Sequence, residues 1–192
     1  MEKKKMAKIY LFLAEGFEDT EALSTADALR RGNAQVVLVS ITQARNVTSN
    51  TGTTVVTDRL FEECDFSDAD AVVLPGGMPG TVNLDKHAGL RELLKQRAKE
   101  GRLICAICAA PTVLAHNGLV DGYKVSCYPT FESEMKGAIL TRQMVTEDRN
   151  IITAEGPAAA LPFGFAILRR FLSGAEVDDI EDSMRFAHLM HQ

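Results

Sequence analysis

Hydrophobic positions fall into short, unbroken runs separated by longer stretches with helical periodicity. Compact apolar runs of this kind are typical of strands buried on both faces of a sheet. They lie at residues 8–14, 35–41, 71–74 and 103–107, with shorter candidates at 124–127, 144–146 and 151–153. A spacing of three and four between apolar positions predicts helices at residues 20–31, 88–100, 158–172 and 177–190, with shorter ones at 111–117 and 131–136.

The order of these elements predicts one doubly wound α/β domain with a mostly parallel sheet and helices on both faces. The chain opens strand–helix–strand, with Gly32 as the expected end of the first helix. Residues 42–58 are rich in Thr, Asn and Gly, and we expect loops there with a short hairpin. The 192 residues contain no repeat or linker, so we expect residues 1–192 to form a single domain.

Four separate segments are predicted to follow strands and to meet at one edge of the sheet. They are residues 15–21, 75–80, 108–111 and 155–157. Ligands bind at the carboxyl ends of the strands in open α/β sheets, where the strand order reverses. This predicted convergence favours a functional site made of these segments.

Cys108 stands where a buried strand is predicted to turn directly into a helix. The small residues Ala109 and Ala110 follow it, and Pro111 suits the first turn of that helix. A tight corner of this kind needs small neighbours and exposes the corner side chain. Unpaired backbone N–H groups and the helix dipole are expected to favour the thiolate. The alternative is a buried structural cysteine.

Glu21 and a glycine pair are the other candidates at this edge. A buried Glu21 could donate a hydrogen bond to the thiolate and carry protons, whereas Glu18 and Asp19 fit solvated carboxylates better. Gly76 and Gly77 would let backbone N–H groups approach a ligand, and the amides of Gly77 and Ala109 could form an oxyanion hole. A plain tight turn is the alternative for the two glycines.

Composition narrows the possible partners. The net charge is −5, and no basic stripe with interleaved aromatic residues is present, so we expect no nucleic acid partner. No apolar run approaches the ~18 residues that a membrane span needs. The four cysteines are too sparse for a disulfide framework, which indicates a reducing compartment and, we expect, the cytoplasm.

Other cysteine, histidine and nucleotide chemistries find little support. Cys105 and Cys108 form a C-x-x-C, but the first lies inside a predicted strand, where a dithiol would distort the ladder. The remaining thiols, Cys64 and Cys127, are isolated. His116 is two helical turns from Cys108, and the other histidines lie on predicted helix surfaces or at the C-terminus; they are His87, His188 and His191. With no zinc spacing and no phosphate-binding glycine motif, we expect neither a metal nor a cofactor.

Taken together, four motifs resemble the DJ-1/ThiJ/PfpI superfamily, most of all its DJ-1 and YajL branch. The motifs are residues 14–21 (AEGFEDTE), 72–77 (VVLPGG), 106–111 (AICAAP) and 155–157 (EGP), within a match over residues 8–172. The resemblance implies a flavodoxin-like sandwich, a homodimer and an oxidation-prone nucleophile at Cys108. It also implies that Glu21 hydrogen-bonds the nucleophile and that the amides of Gly77 and Ala109 lie beside it.

The chain departs from the family pattern at three positions. Tyr128 stands before Pro129 where many relatives have a histidine, so Glu21 would transfer protons alone. Ala109 replaces the histidine of the protease-like branch. Glu155 precedes Gly156 and Pro157 where some relatives have a basic residue. Tyr128, Gly156 and Pro157 are therefore candidate substrate-binding residues beside Gly76, Gly77 and Ala109.

The resemblance implies a glutathione-independent glyoxalase or deglycase acting on small aldehydes such as methylglyoxal, without a cofactor. An oxidative-stress sensor or redox-regulated chaperone that uses oxidation of Cys108 is the alternative. A peptidase or amidotransferase-like hydrolase is a third, more distant one. The same thiol and the same carboxyl would serve the first two functions, and sequence alone does not separate them.

Overall fold

A computed structural model describes residues 6–186 and 188 of the chain. Eleven strands and six α-helices lie within those residues. The strands are β1 Lys8–Leu13, β2 Gln35–Ser40, β3 Asn46–Thr48, β4 Thr54–Val56, β5 Arg59–Leu60, β6 Ala71–Leu74, β7 Leu103–Ile107, β8 Lys124–Val125, β9 Ile139–Leu140, β10 Val145–Asp148 and β11 Ile151–Ala154. The helices are α1 Asp19–Arg31, α2 Gly80–Lys86, α3 Ala88–Lys99, α4 Pro111–His116, α5 Ala160–Leu168 and α6 Gly174–Ser183.

Seven strands form the central sheet in the order β10-β11-β7-β6-β1-β2-β5. All neighbours are parallel except β10, which pairs antiparallel with β11. The chain runs from β1 to β2 on one side and later places β6 on the other side of β1. The order therefore reverses between β1 and β6, which confirms the doubly wound α/β fold and locates its crevice.

Apolar side chains of alternating residues pack on both faces of the sheet. Leu11 and Leu13 of β1 belong to one buried cluster, whereas Tyr10 and Phe12 belong to the cluster on the opposite face. Strands of this kind are covered by helices on both sides, which explains their unbroken apolar runs.

Helices α1 and α5 pack closely because small residues face each other. A Cβ atom added to Gly164 would lie 2.8 Å from the Cβ of Ala28. One added to Gly32 would lie 2.3 Å from Cδ2 of Leu168. Gly32 is thus required by this contact. The prediction that Gly32 ends α1 is confirmed, since it is the C-cap with φ −76°, but the left-handed residue that follows the helix is Asn33, with φ 57°.

Sequence patterns placed the main elements and missed several short ones. Helix α2 and strands β5 and β9 were not predicted, since each is too short to show a periodic pattern. The predicted helix at 158–172 is shorter, because α5 ends at Leu168. The helix predicted at 177–190 begins at Gly174 and ends at Ser183; the last predicted residues, 189–190, lie outside the described part. The segment predicted as a helix at 131–136 is a 3-10 turn, Pro129–Glu134.

Candidate active site

The carboxyl ends of β1, β6 and β7 meet around Gly76. This residue lies just after the end of β6, one of the two strands between which the strand order reverses. A Cβ atom placed on Gly76 would lie 2.7 Å from Oε2 of Glu21 and 2.8 Å from Cβ of Cys108. It would also lie 3.1 Å from the backbone nitrogen of Ala109. Residues from two other segments, the start of α1 and the β7–α4 corner, thus surround one glycine, and a larger residue there would displace them.

Cys108 occupies the corner between β7 and α4 with a left-handed backbone, φ 65°. Its N–H donates to the carbonyl of Ala154 at 2.9 Å, and its own carbonyl accepts from the N–H of Tyr128 at 2.8 Å. Helix α4 starts three residues later at Pro111. Neighbouring segments thus hold the strained corner on both sides, and 9% of the Cys108 residue surface is exposed.

Glu21 lies beneath the cysteine with no exposed surface. Its Oε2 accepts a hydrogen bond of 2.7 Å from the N–H of Gly76. Its Oε1 is buried and has no hydrogen-bond partner of standard geometry among the described residues. The carboxyl also interacts with the Cys108 thiol. Burial raises the pKa of Glu21 to about 7, against the lowering effect of its bonds to Cys108 and Gly76.

The thiol of Cys108 departs from the prediction that its ionised form is favoured. Burial, and then the negative charge of Glu21, raise the pKa of the thiol, and these outweigh the hydrogen bonds from the Ala109 and Gly77 amides. Negative charges on the Cys108 sulfur and on the neighbouring Glu21 carboxyl at the same time are strongly disfavoured in a buried site. Cys108 and Glu21 are therefore a coupled pair in which one group holds a proton when the other is ionised.

Both predicted backbone amides lie at the sulfur. Gly77 adopts φ 92°, a conformation that favours glycine, and a Cβ there would lie 2.5 Å from the backbone nitrogen of Glu18. Its amide and that of Ala109 act directly on the Cys108 thiol. Two donors that converge on the nucleophile can also reach an oxygen on the carbon it attacks.

Tyr128, Gly156 and Pro157 form the neighbouring wall. The ring of Tyr128 lies against Gly156, with 3.2 Å between Cδ2 and the position of an added Cβ, and the residue is 42% exposed. Pro157 begins a 3-10 turn, Pro157–Ala159. Cys127 and Glu155, which precede Tyr128 and Gly156 in the chain, line a cavity of about 310 Å³ that sequence analysis did not predict.

Other thiols and imidazoles have partners or positions away from this site. Cys105 is completely buried inside β7, and burial raises the pKa of its thiol. His116 contacts Asp85 and Glu134, while His87 accepts from the backbone of Leu90. His191 lies outside the described residues. Within residues 6–186 and 188, no group of three or more His, Cys, Asp or Glu side chains is arranged to hold a metal ion.

Glu18 and Asp19 were expected to fit solvated carboxylates, but both are half-buried. The carboxylate of Glu18 caps the first turn of α1, a role that sequence analysis did not assign to it. The sequence signal for this cap was weak, because the residues preferred at an N-cap are Ser, Thr, Asp and Asn, whereas the capping residue here is a glutamate.

This chain is similar in sequence and in structure to known proteins. A family model described as "DJ-1/PfpI family" matches residues 7–170. "Glutathione-independent glyoxalase DJR-1.2" of Caenorhabditis elegans is 35% identical over 179 residues, covering 92% of this chain and 93% of that protein. The structure "Toxoplasma gondii DJ-1, oxidized" superposes with a TM-score of 0.89 at 31% identity, covering 93% of this chain and 97% of the other.

Some relatives are longer than this chain. "Protein DJ-1 homolog B" of Arabidopsis thaliana is 33% identical over 167 residues, which are 86% of this chain and 38% of that protein.

None of the helices in the described part of the chain has both the length and the apolar character needed to cross a bilayer.

Proposed function

Because this chain belongs to the DJ-1/PfpI family, we propose that it is a cofactor-independent glyoxalase with related deglycase activity on small 2-oxoaldehydes. The observation that carries this proposal is the fully buried Glu21 carboxyl in contact with the Cys108 thiol at the switch in strand order. A relative that is 35% identical is named a glutathione-independent glyoxalase. That name and the geometry of Cys108 and Glu21 in this chain favour the same reaction here.

The first step is formation of a carbon–sulfur bond. Ionised Glu21 accepts the proton of Cys108, and the thiolate attacks the aldehyde carbon of methylglyoxal. The carbonyl electron pair moves to oxygen, which the amides of Gly77 and Ala109 stabilise, and a proton completes the hemithioacetal. Because the pKa of Glu21 is raised to about 7, the group can accept and return protons near neutral pH.

The second step moves a proton between two carbons. Glu21 removes the hydrogen of the former aldehyde carbon as a proton, which gives an enediol, and returns a proton to the neighbouring carbon. The first carbon is thereby oxidised to a thioester and the second is reduced to an alcohol, so no external oxidant or reductant is required. Water then cleaves the thioester to give lactate and to restore the Cys108 thiol.

The finer assignments are part of the same proposal. We assign the protein to the cytoplasm because its described cysteines are all free thiols, as expected in a reducing compartment. We also propose a homodimer, on the family resemblance. The exposed ring of Tyr128 and the backbone of Gly156 and Pro157 would contact the substrate beside the nucleophile.

The proposal predicts that Cys108→Ala and Glu21→Gln each reduce lactate formation from methylglyoxal at least a hundredfold, measured without glutathione. Cys64→Ala is the matched control, because Cys64 is half-buried and hydrogen-bonds to Leu60, outside the site. A Cys108→Ala protein with native turnover would rule the proposal out.

A redox sensor is the second candidate, favoured by the same carboxyl and by the oxidised state named for a structural relative. A protonated Glu21 can donate to a sulfinate as well as to a thiolate. Mass spectrometry after mild peroxide treatment separates the two functions. Addition of two oxygens at Cys108 alone, combined with negligible aldehyde turnover, would favour the sensor.

A further inference from the structure

We propose that Glu18 is the positioning residue of this site: it fixes the Glu21 carboxyl against Cys108 and places a second carboxylate beside it. This inference deepens the proposed function and partly rests on it. The hydrogen bonds of Glu18 go to Glu21, Gly76 and Ala22 and not to the sulfur of Cys108, so its effect must pass through Glu21.

Three hydrogen bonds connect Glu18, Glu21 and Gly76 in a closed ring. Oε2 of Glu18 accepts from the N–H of Glu21 at 2.7 Å. The N–H of Glu18 donates to the carbonyl of Gly76 at 3.0 Å, and the N–H of Gly76 donates to Oε2 of Glu21 at 2.7 Å. Each residue therefore restrains the other two, and the ring joins the start of α1 to the end of β6.

The ring also constrains the backbone that supplies the oxyanion donor. Glu18 has an extended backbone, φ −93° and ψ 127°, and its carbonyl accepts from the N–H of Ala22 at 3.1 Å. Its nitrogen lies 2.5 Å from where a Cβ of Gly77 would be. Glu18 thus packs directly against the turn whose amide reaches the sulfur.

Charge distinguishes Glu18 from an ordinary helix cap. Its negative charge raises the pKa of Glu21, in addition to the larger effect of burial. The other titratable group that faces Glu21 is Cys108, from the β7–α4 corner. The end of β6 offers only backbone, and neither the 3-10 turn Pro157–Ala159 nor α5, which pack against α1, contains an ionisable side chain.

A cap and a charge can be separated by substitution. Glu18→Gln keeps the length of the side chain and an oxygen that accepts from Glu21, but it removes the charge. Glu18→Asp keeps the charge and shortens the reach. Asp19→Asn is the matched control, since Asp19 is in the same turn and its Oδ2 instead accepts from the hydroxyl of Thr51 at 2.6 Å.

The first test is independent of turnover. The alkylation rate of Cys108 by iodoacetamide is measured against pH on the full-length chain, from the peptide that contains it. In Glu18→Gln we expect the midpoint of this profile to fall by about half a pH unit or more, because the negative charge beside Glu21 is removed. Asp19→Asn and Glu18→Asp should keep the native midpoint.

The second test is the pH profile of kcat/KM for methylglyoxal. Its acid limb should move to lower pH in Glu18→Gln by the same amount, with a smaller effect on KM than on kcat. If the native protein forms no lactate, the proposed function fails, while the alkylation profile still decides the role of Glu18. An unchanged alkylation midpoint in Glu18→Gln, or an equal shift in Asp19→Asn, would overturn the inference.

Discussion

At the corner after β7, Cys108 is held in a backbone conformation that costs a non-glycine residue on the order of 1–3 kcal/mol. Cys108 is tied on one side to Ala154 and on the other to Tyr128 by backbone hydrogen bonds. Directly below it, Glu21 has no contact with solvent. Strain and burial of an ionisable group both reduce stability, and their coincidence at one place is typical of sites selected for chemistry.

Glu21 makes stability depend on pH. Its pKa is about 7 in the folded chain and near 4.5 when exposed, so between these values the folded state binds more protons. The contribution of Glu21 to the free energy of unfolding is therefore fully present below about pH 4.5. It decreases by roughly 3 kcal/mol as the pH rises toward 7. Urea denaturation at several pH values should show the slope in the native protein.

Glu21→Gln provides the comparison for that slope. The glutamine keeps the shape and an acceptor for the N–H of Gly76, but it does not titrate. Its free energy of unfolding should lack this contribution between pH 4.5 and 7, while other groups contribute equally in both proteins. Superimposable pH dependences of the two proteins would show that Glu21 ionises as freely when folded as when unfolded.

At the scale of elements, the position of α1 relative to α5 sets where Glu21 lies. The helices approach at Gly164 and Ala28, where there is no room for a second methyl group. The sequence pattern predicted both helices, but it gave no sign that Gly164 was required. An isolated glycine within a helical pattern is only a mild conformational cost, and its use in close packing depends on the partner helix.

Gly164→Ala should destabilise the protein by about 1–3 kcal/mol through overpacking, although alanine is intrinsically the better helix former by about 1 kcal/mol. Combining it with Ala28→Gly moves the methyl group from one helix to the other. The double variant should return to within about 1 kcal/mol of native stability in urea denaturation.

Gly174→Ala is the control for this pair, because an added Cβ would be 3.6 Å from its nearest neighbour, Nη1 of Arg169. We expect a change within about 0.5 kcal/mol. Equal stability losses in the double variant and in Gly164→Ala would mean that the two positions do not share one contact.

Across the whole molecule, the two edges of the sheet differ in what they hold. The carboxyl edge brings together Cys108, Glu21 and the Gly76–Gly77 turn. At the amino edge, the buried Arg97 of α3 donates to the carbonyls of Ala69, Asp70 and Leu103. Arg97 thereby joins the starts of β6 and β7 to α3, and no side chain of the candidate site takes part.

Arg97→Lys should therefore reduce stability and leave chemistry unchanged. A lysine keeps the charge but cannot bond three separated carbonyls with a planar fork. We expect a loss of about 1–3 kcal/mol in the free energy of unfolding, with native kcat/KM at 25 °C. Arg91→Lys, on the exposed face of the same helix, is the control and should alter neither quantity. A change in kcat/KM for Arg97→Lys at 25 °C would refute this division between the edges.

Local pattern was sufficient for the long elements and for the prediction that Glu21, Gly76 and Cys108 meet at the carboxyl edge of the sheet. Buried strands show as apolar runs because both faces are covered, and the Cys108 corner shows as small residues and a proline between a strand and a helix. Short pieces such as α2, with seven residues, and β5 and β9, with two each, were missed because so few residues cannot establish a period. The role of Glu18 was missed because its hydrogen bond to the carbonyl of Gly76 joins α1 to a turn that is far away in the chain.

The sequence by itself determined the fold class, a mostly parallel α/β sheet. It also determined which residues the site could use: a cysteine at a corner, a glutamate in the first helix and a glycine pair after a strand. Only the tertiary structure decided how they act on one another. It buried Glu21 completely and set its carboxyl against the thiol, so that the thiol pKa is raised where local reasoning from the helix dipole expected the opposite. The reason is physical, since desolvation and charge–charge repulsion depend on distances between segments that are remote in the chain.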